Sequence, residues 1–426
     1  MAKKEAEKPK RELTKRQLSR GQQQKKRQRI ILGSGILVIV AVLSIVGAGF
    51  YNRWYIPEYK PLHQTVIKVN DTKFNMNYYI KMLKYYGSGM SVQQMYSLVD
   101  DVVTAIERDE LIRQEAMALG ITVSDKEVDE ELKSYDSQLS KDYRDVVRTQ
   151  MLVNRLSDEY FDQPQQVPVF AEQRHILAMF LESESQANEV RAKLEAGEKG
   201  FAELASELSL DSICKAKEGD LGWRPEGVLS LLIGSSILEE NAFSCEVGVL
   251  SQPILDETKA KMVGYWLIEV ESRDEEATEA SVKVMLLGSE QEANEVRARL
   301  EAGEDFATLA EKFSQHADSK DEGGEFEVTA KGMYGAAFDE FVFSSELSVL
   351  SQPIPDDTVS TEGGYWLIKV TQVADNMEIE KDDRDLLKAD ALNKWVEGLF
   401  DDPKNKVESY LDDAKKQWAI LYIIGG

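Results

Sequence analysis

The middle of the sequence is written twice. GYWLIEV at 264–270 returns as GYWLIKV at 364–370, and VLSQPI at 249–254 returns at 349–354. QANEVRAKLEAGEKGFAELA at 186–205 returns as EANEVRARLEAGEDFATLA at 292–310. A period of roughly one hundred residues corresponds to one small domain per copy, so this region must fold as two similar units. Each copy runs from an apolar strand through an amphipathic helix and shorter helices to a Gly-rich segment and a terminal strand. That order predicts an α+β unit with helices packed on a small antiparallel sheet.

The duplication lies inside a helical frame. Val66, Ile67 and Val69 mark a short strand before a Tyr- and Met-rich helix reaching Tyr86. Leu98, Val102, Ala105, Leu111, Ile112, Ala116 and Leu119 form one helical stripe, stopped by Gly120. Ser124 with Glu127 is a capping box, and Met151–Phe161 continues the helical pattern. QPQQVPV at 163–169 reads as a hinge. At the far end, Leu387, Ala391, Trp395, Leu399, Leu411 and Trp418 keep helical spacing over Asp383–Trp418. Neither end has enough apolar surface for its own core, so the two are expected to pack as one discontinuous domain, 60–163 completed by 377–420.

Charge divides the chain differently. Residues 1–29 hold twelve Lys and Arg against three Glu, whereas the remainder holds 39 basic and 73 acidic residues. Ile30–Phe50 follows without one charged side chain, and about 20 apolar residues span a hydrocarbon core. Phe50, Tyr51, Trp54 and Tyr55 then supply an interfacial aromatic belt. The expectation is a basic cytoplasmic head (1–29), a transmembrane helix (30–51) and an extracytoplasmic bulk, since Lys and Arg stay inside. The span is longer than the 7–15 apolar residues of a signal peptide. A net charge of −25 argues against nucleic acid. The few His and Cys, three and two, are scattered along the chain, and no phosphate-binding Gly-rich loop occurs, so no metal or cofactor is expected. Cys214 and Cys245 are the only two, lie in one copy and face an oxidising compartment, so they are expected to pair.

The first copy also carries an ordered string of short motifs. His175-Ile176-Leu177, Ala196-Gly197, Phe201-Ala202, Leu204-Ala205, Ser209, Asp211 and Gly219-Asp220-Leu221-Gly222-Trp223 are followed by Ala242-Phe243, Leu250-Ser251, Pro253 and Gly264-Tyr265. In this order they resemble the parvulin-type peptidyl-prolyl cis–trans isomerases, over about 100 residues of each copy. The surrounding frame resembles the exported chaperones of the SurA, PpiD and PrsA kind. The resemblance implies two tandem parvulin-like domains, 170–272 and 281–372, the second degenerate.

The chemistry asks little of the protein. An X–Pro bond turns over a barrier of about 18–20 kcal/mol because the twisted amide loses resonance. A catalyst needs an apolar pocket for the ring and polar groups that favour the twisted amide. The resemblance implies catalytic roles for His175 on the first strand and for Asp211 beside the substrate amide. It places Leu229, Leu238 and Phe243 in the proline pocket, and Trp266 where the family usually carries a second His on the last strand. In the second copy Val284, His316 and Trp366 replace the polar positions, while Met333, Phe338 and Phe343 keep a pocket. The expected function is isomerisation of X–Pro bonds in unfolded or newly exported polypeptides, mainly by the first domain. The alternative is a holdase whose parvulin domains only bind clients.

Overall fold

The computed structural model describes residues 37–134, 143–274 and 278–425. They form two compact units: the described residues up to Val153 with those from Val396 onward, and Asn154–Trp395.

In the first unit, β1 (Thr65–Val69) and β2 (Thr72–Asn75) form a hairpin, followed by the helices Met76–Tyr86 and Val99–Ala118. Asn75 accepts from the Tyr78 amide and caps the first of these helices. The Ser124–Glu127 capping box opens Asp125–Glu131 as the sequence predicts. Residues 37–50 are helical with exposed apolar side chains. Residues 30–36 of the expected span lie outside the described residues, and among those described no helix is long and apolar enough to cross a membrane.

The second unit holds two four-stranded sheets. The strands are β3 (Phe170–Leu181), β4 (Asp220–Pro225), β5 (Ile254–Lys261), β6 (Gly264–Arg273), β7 (Ala280–Leu287), β8 (Glu325–Val328), β9 (Ile354–Asp356) and β10 (Thr361–Glu378). Their orders are β4-β3-β10-β5, here the first module, and β8-β7-β6-β9, the second. Each repeat therefore gives its last strand to the other. β10 pairs along β3, with Trp366 opposite Phe180 and Ile368 opposite Ala178. β6 pairs along β7, with Trp266 opposite Leu286 and Ile268 opposite Val284. The contiguous units expected at 170–272 and 281–372 are not how the sheets are composed.

The link between β5 and β6 gives a physical reason. Only Met262 and Val263 separate the strands, and neither has the positive φ that a tight two-residue hairpin requires. The chain passes straight on, and β6 crosses to the neighbouring sheet. The crossing is locked twice. The Trp366 indole donates to Asp256 Oδ2 at 3.0 Å, and Trp266 donates to Asp356 Oδ2 at 3.0 Å. Both indoles are fully buried, and in each bond donor and acceptor come from different repeats. Near the start of β10, Gly364 lets the strand approach β3, because a Cβ there would stand 2.6 Å from the Leu181 carbonyl oxygen.

Two other expectations shift. A short strand, β11 (Val407–Ser409), interrupts the predicted C-terminal helix and pairs with β1. The 163–169 segment, expected as a hinge, makes contacts within the second unit. Val167 is buried, the Ile379 amide donates to Val169 O at 2.8 Å, and Phe161 packs edge-on against Trp395 at 6.1 Å. Hydrogen bonds from Arg384 and then Lys388 hold the Asp162 carboxyl below its usual range. These contacts keep 377–395 with the second unit.

Burial would raise the Asp256 pKa, but hydrogen bonds from Ser235, Trp366 and Thr258 leave it below the ordinary value. Asp256→Ala would strand a buried indole N–H, at an expected cost of roughly 2–3 kcal/mol, read as a lower thermal midpoint. With its folded pKa depressed, Asp256 contributes fully above the unfolded value near pH 4, and the contribution fades as pH falls through the folded value. The gap between the parent chain and Asp256→Asn should therefore narrow below about pH 4. Equal midpoints for Asp256→Ala and the parent at pH 7 would show that this bond does not hold the exchanged strand.

Candidate functional site

In the first module the sheet has two dissimilar faces. Ile176, Ala178 and Phe180 of β3 pack with Trp366, Leu229, Ile233, Leu238 and Ala242. Met179 and Leu181 face the other way, toward Val190 and Leu204. Alternation along a strand puts His175 on this second face, away from Leu229 and Leu238. Its Nδ1 is 2.9 Å from Thr371 Oγ1 and its Nε2 is 3.5 Å from Asp220 Oδ1, with Trp223 edge-on at 5.6 Å. The strand register explains the misplacement. Ala178 and Val284 occupy equivalent positions opposite Ile368 and Ile268, so the counterpart of Val284 is Ala178, three residues beyond His175. The repeat itself contains this signal: Ala178 precedes Ala187 by the nine residues that separate Val284 from Ala293, whereas His175 is twelve away.

Asp211 lies beside the apolar cluster. It caps the short helix Ser212–Ala216, accepting from the Ile213 and Cys214 amides at 3.1 and 2.9 Å. Its other oxygen meets Lys259 Nζ at 2.9 Å, both side chains being nearly buried. Lys259 also donates to Ile233 O at 2.6 Å. Leu229 and Leu238 are wholly buried beneath the helices Val228–Ile233 and Ser236–Ser244, so this wall is closed. Phe243 is half-buried under the Arg174 guanidinium.

The cysteines are free thiols, contrary to the expected pairing. The intervening chain forms β4 and two helices, leaving Cys214 on one helix within the core and Cys245 at the C-terminal end of another. Burial pushes the Cys214 thiol up, and the neighbouring Asp211 adds to this.

In the second module, Trp266 forms the centre of the wall rather than serving the first copy. His316 precedes the helix Ala317–Lys320, as Asp211 precedes its own short helix. Its Nδ1 is 2.8 Å from Ser319 Oγ, and its Nε2 is 2.6 Å from the Tyr334 hydroxyl. Burial lowers the His316 pKa against an opposing pull from Asp318, so the imidazole is neutral near pH 7. Burial and then Asp318 raise the Tyr334 pKa. Phe338 and Phe343 are buried in the cluster, but Met333 is 44% exposed and lies outside it. Tyr334, absent from the residues the sequence singles out, takes the inner place against Trp266 at 4.8 Å and Phe338 at 4.7 Å. Its neighbour Met333 fits the same hydrophobic pattern, and only packing distinguishes the two. Among the described residues, no group of three or more His, Cys, Asp or Glu could hold a metal ion.

Residues 175–272 and 251–374 match two family models, each described as a PPIC-type PPIASE domain, and residues 22–163 match a SurA-like N-terminal domain. A "Foldase protein PrsA" of Caldanaerobacter subterraneus is 31% identical over 186 residues, covering 40% of this chain and 56% of that protein. "Foldase protein PrsA 3" of Bacillus anthracis is 30% identical over 151 residues, 33% of this chain and 51% of that protein. These alignments span about half the length of the relatives they match. The PrsA crystal structure from Bacillus anthracis shares 13% identity, with a TM-score of 0.31, and the alignment covers 75% of this chain and 94% of that one.

His175 faces away from the apolar wall, so His175→Ala should change the rate of X–Pro isomerisation by less than about twofold, a barrier change below about 0.4 kcal/mol. A tenfold loss with the fold intact would return His175 to the site.

Proposed function

We propose that this chain, which carries PPIC-type parvulin domains and a SurA-like N-terminal domain, is a membrane-anchored extracytoplasmic folding factor. It accelerates the cis–trans isomerisation of X–Pro bonds in newly exported polypeptides. One shared arrangement carries the reading. In each module a fully buried Trp lies within an apolar cluster; Asp211 lies between Leu210 and the following Ser212-Ile213, of which Leu210 and Ile213 pack on the first cluster, and His316 stands edge-on to Trp266 at 5.1 Å in the second. Such a site needs no nucleophile, metal or cofactor, because rotation about the amide breaks no covalent bond.

The anchor rests on the charge-free Ile30–Phe50 segment behind twelve basic residues. The foldase reading draws support from the PrsA relatives. The first module is not singled out as the main catalyst, since Asp211 is already engaged by its helix cap and Lys259. With Leu229, Leu238 and Trp366 wholly buried, the first module has no open proline pocket, which counts against turnover there; the second reading is a chain that holds clients without isomerising them.

Two-dimensional exchange NMR on an Ala-Ala-Pro-Phe peptide separates these readings. The full chain in detergent should raise the cis–trans exchange rate at substoichiometric concentration. Suppression of client aggregation without faster exchange would instead establish holding. For topology, protease added to cells stripped of any outer layer should digest the region beyond residue 60, whereas protection would contradict the anchor's orientation.

A further inference from the structure

A cleft of about 370 Å³ opens where β5 pairs with the start of β10, and residues of both repeats line it. The first turns of the helices Glu184–Ala196 and Glu290–Glu301 form two of its sides. We propose that this cleft binds a basic peptide segment, Lys261 on its floor donating to a backbone carbonyl and the rim carboxylates holding Lys or Arg side chains. Binding there needs no proline and is independent of the isomerase reading.

Lys261 points to a ligand. It is only 4% exposed, yet its ammonium carries three N–H donors and has one protein acceptor, the Gly363 carbonyl. Among the described residues it forms no ion pair. Burial lowers its pKa to about 8 against the pull of Glu182 and Glu292, so most of it stays charged at pH 7. A buried ammonium with spare donors is costly unless something in the adjoining space accepts from it. Gly288 keeps that space clear: a Cβ there would stand 3.4 Å from Lys261 Nζ and 3.0 Å from Gln315 Nε2. The equivalent positions of the other repeat hold Thr361 and Glu182, so this ammonium–glycine corner occurs once.

The rim has the opposite need. Glu184, Glu257 and Glu295 stand near Tyr365, whose pKa rises through burial and then through these three carboxylates. All three are exposed, and among the described residues none forms an ion pair. Such a ring repels an anion, and a polyamine would offer Lys261 no acceptor. No group of three or more His, Cys, Asp or Glu among the described residues could hold a metal ion. A peptide with basic side chains meets both needs, bringing carbonyl oxygens to the floor and cations to the rim. The volume falls in the usual range of ligand pockets, roughly 300–1,000 Å³.

The test uses the full chain in detergent and the proline-free peptide acetyl-Ala-Lys-Ala-Lys-Ala-amide, read by isothermal titration calorimetry. Glu257→Gln combined with Glu295→Gln should weaken binding roughly tenfold, through loss of two partly screened ion pairs. Glu198→Gln combined with Glu322→Gln makes the same charge change at exposed positions outside the cleft and should leave Kd within about twofold. Lys261→Met should also weaken binding, because the peptide loses a donor. Attraction by charge alone predicts the reverse, tighter binding once a positive charge is gone. Circular dichroism and the thermal midpoint report whether each variant is folded, and the Glu257 and Glu295 pair decides if Lys261→Met does not fold. Equal weakening by both double variants, unchanged or tighter binding by folded Lys261→Met, or no binding by the parent chain would each overturn the site. None of these results would touch the isomerase reading.

Discussion

Two buried indole–carboxylate hydrogen bonds hold the central architecture together. Trp366 reaches Asp256 and Trp266 reaches Asp356, both at 3.0 Å, each joining one repeat to the other. A buried carboxylate without donors is costly, and so is a buried indole N–H without an acceptor. The exchanged strands therefore satisfy polar groups in both cores at once. Withdrawing β10 would leave Asp256 and the edge of β3 uncovered, and withdrawing β6 would do the same to Asp356 and β7. The second unit is built from two sequence repeats interlocked through their last strands.

This changes how each site is composed. The wall of the first module depends on Trp366, numbered with the second repeat, and that of the second depends on Trp266, numbered with the first. A substitution in one repeat thus acts in the other's site. The same carboxylates carry local order outward: Asp356 also fixes Gly335 beside Tyr334, and Asp256 accepts from the Ser235 hydroxyl at 2.5 Å at the head of the helix Ser236–Ser244. One interaction holds the strand crossing and shapes the site, so site geometry and module stability are coupled.

Much of this is legible in the sequence because it is local. Periodicity locates the helices, the Ser124–Glu127 box marks a helix start, and the duplication announces two α+β modules. Partner choice between strands is not legible. GYWLIEV and GYWLIKV present nearly the same surface to either sheet, and only the short Met262–Val263 link argues against a hairpin. His175 is misplaced by a motif match because such a match ignores register, although the spacing to Ala187 suffices to correct it. Tyr334 escapes notice because inward and outward positions in a short loop have no periodicity, and β11 because three residues are too few for a pattern.

The strand exchange is the central claim, and a pair of engineered disulfides tests it directly. Leu177 on β3 stands opposite Lys369 on β10, and in an unexchanged chain the repeat equivalent Glu269 would take that place. With Cys214→Ala and Cys245→Ala removing the native thiols, Leu177→Cys is combined with Lys369→Cys in one protein and with Glu269→Cys in another. Directly opposed residues approach within bridging distance, so mild oxidation of the monomer followed by mass mapping reads the pairing. The exchanged architecture predicts a 177–369 disulfide and no 177–269 disulfide. A 177–269 disulfide forming in place of 177–369 would contradict it.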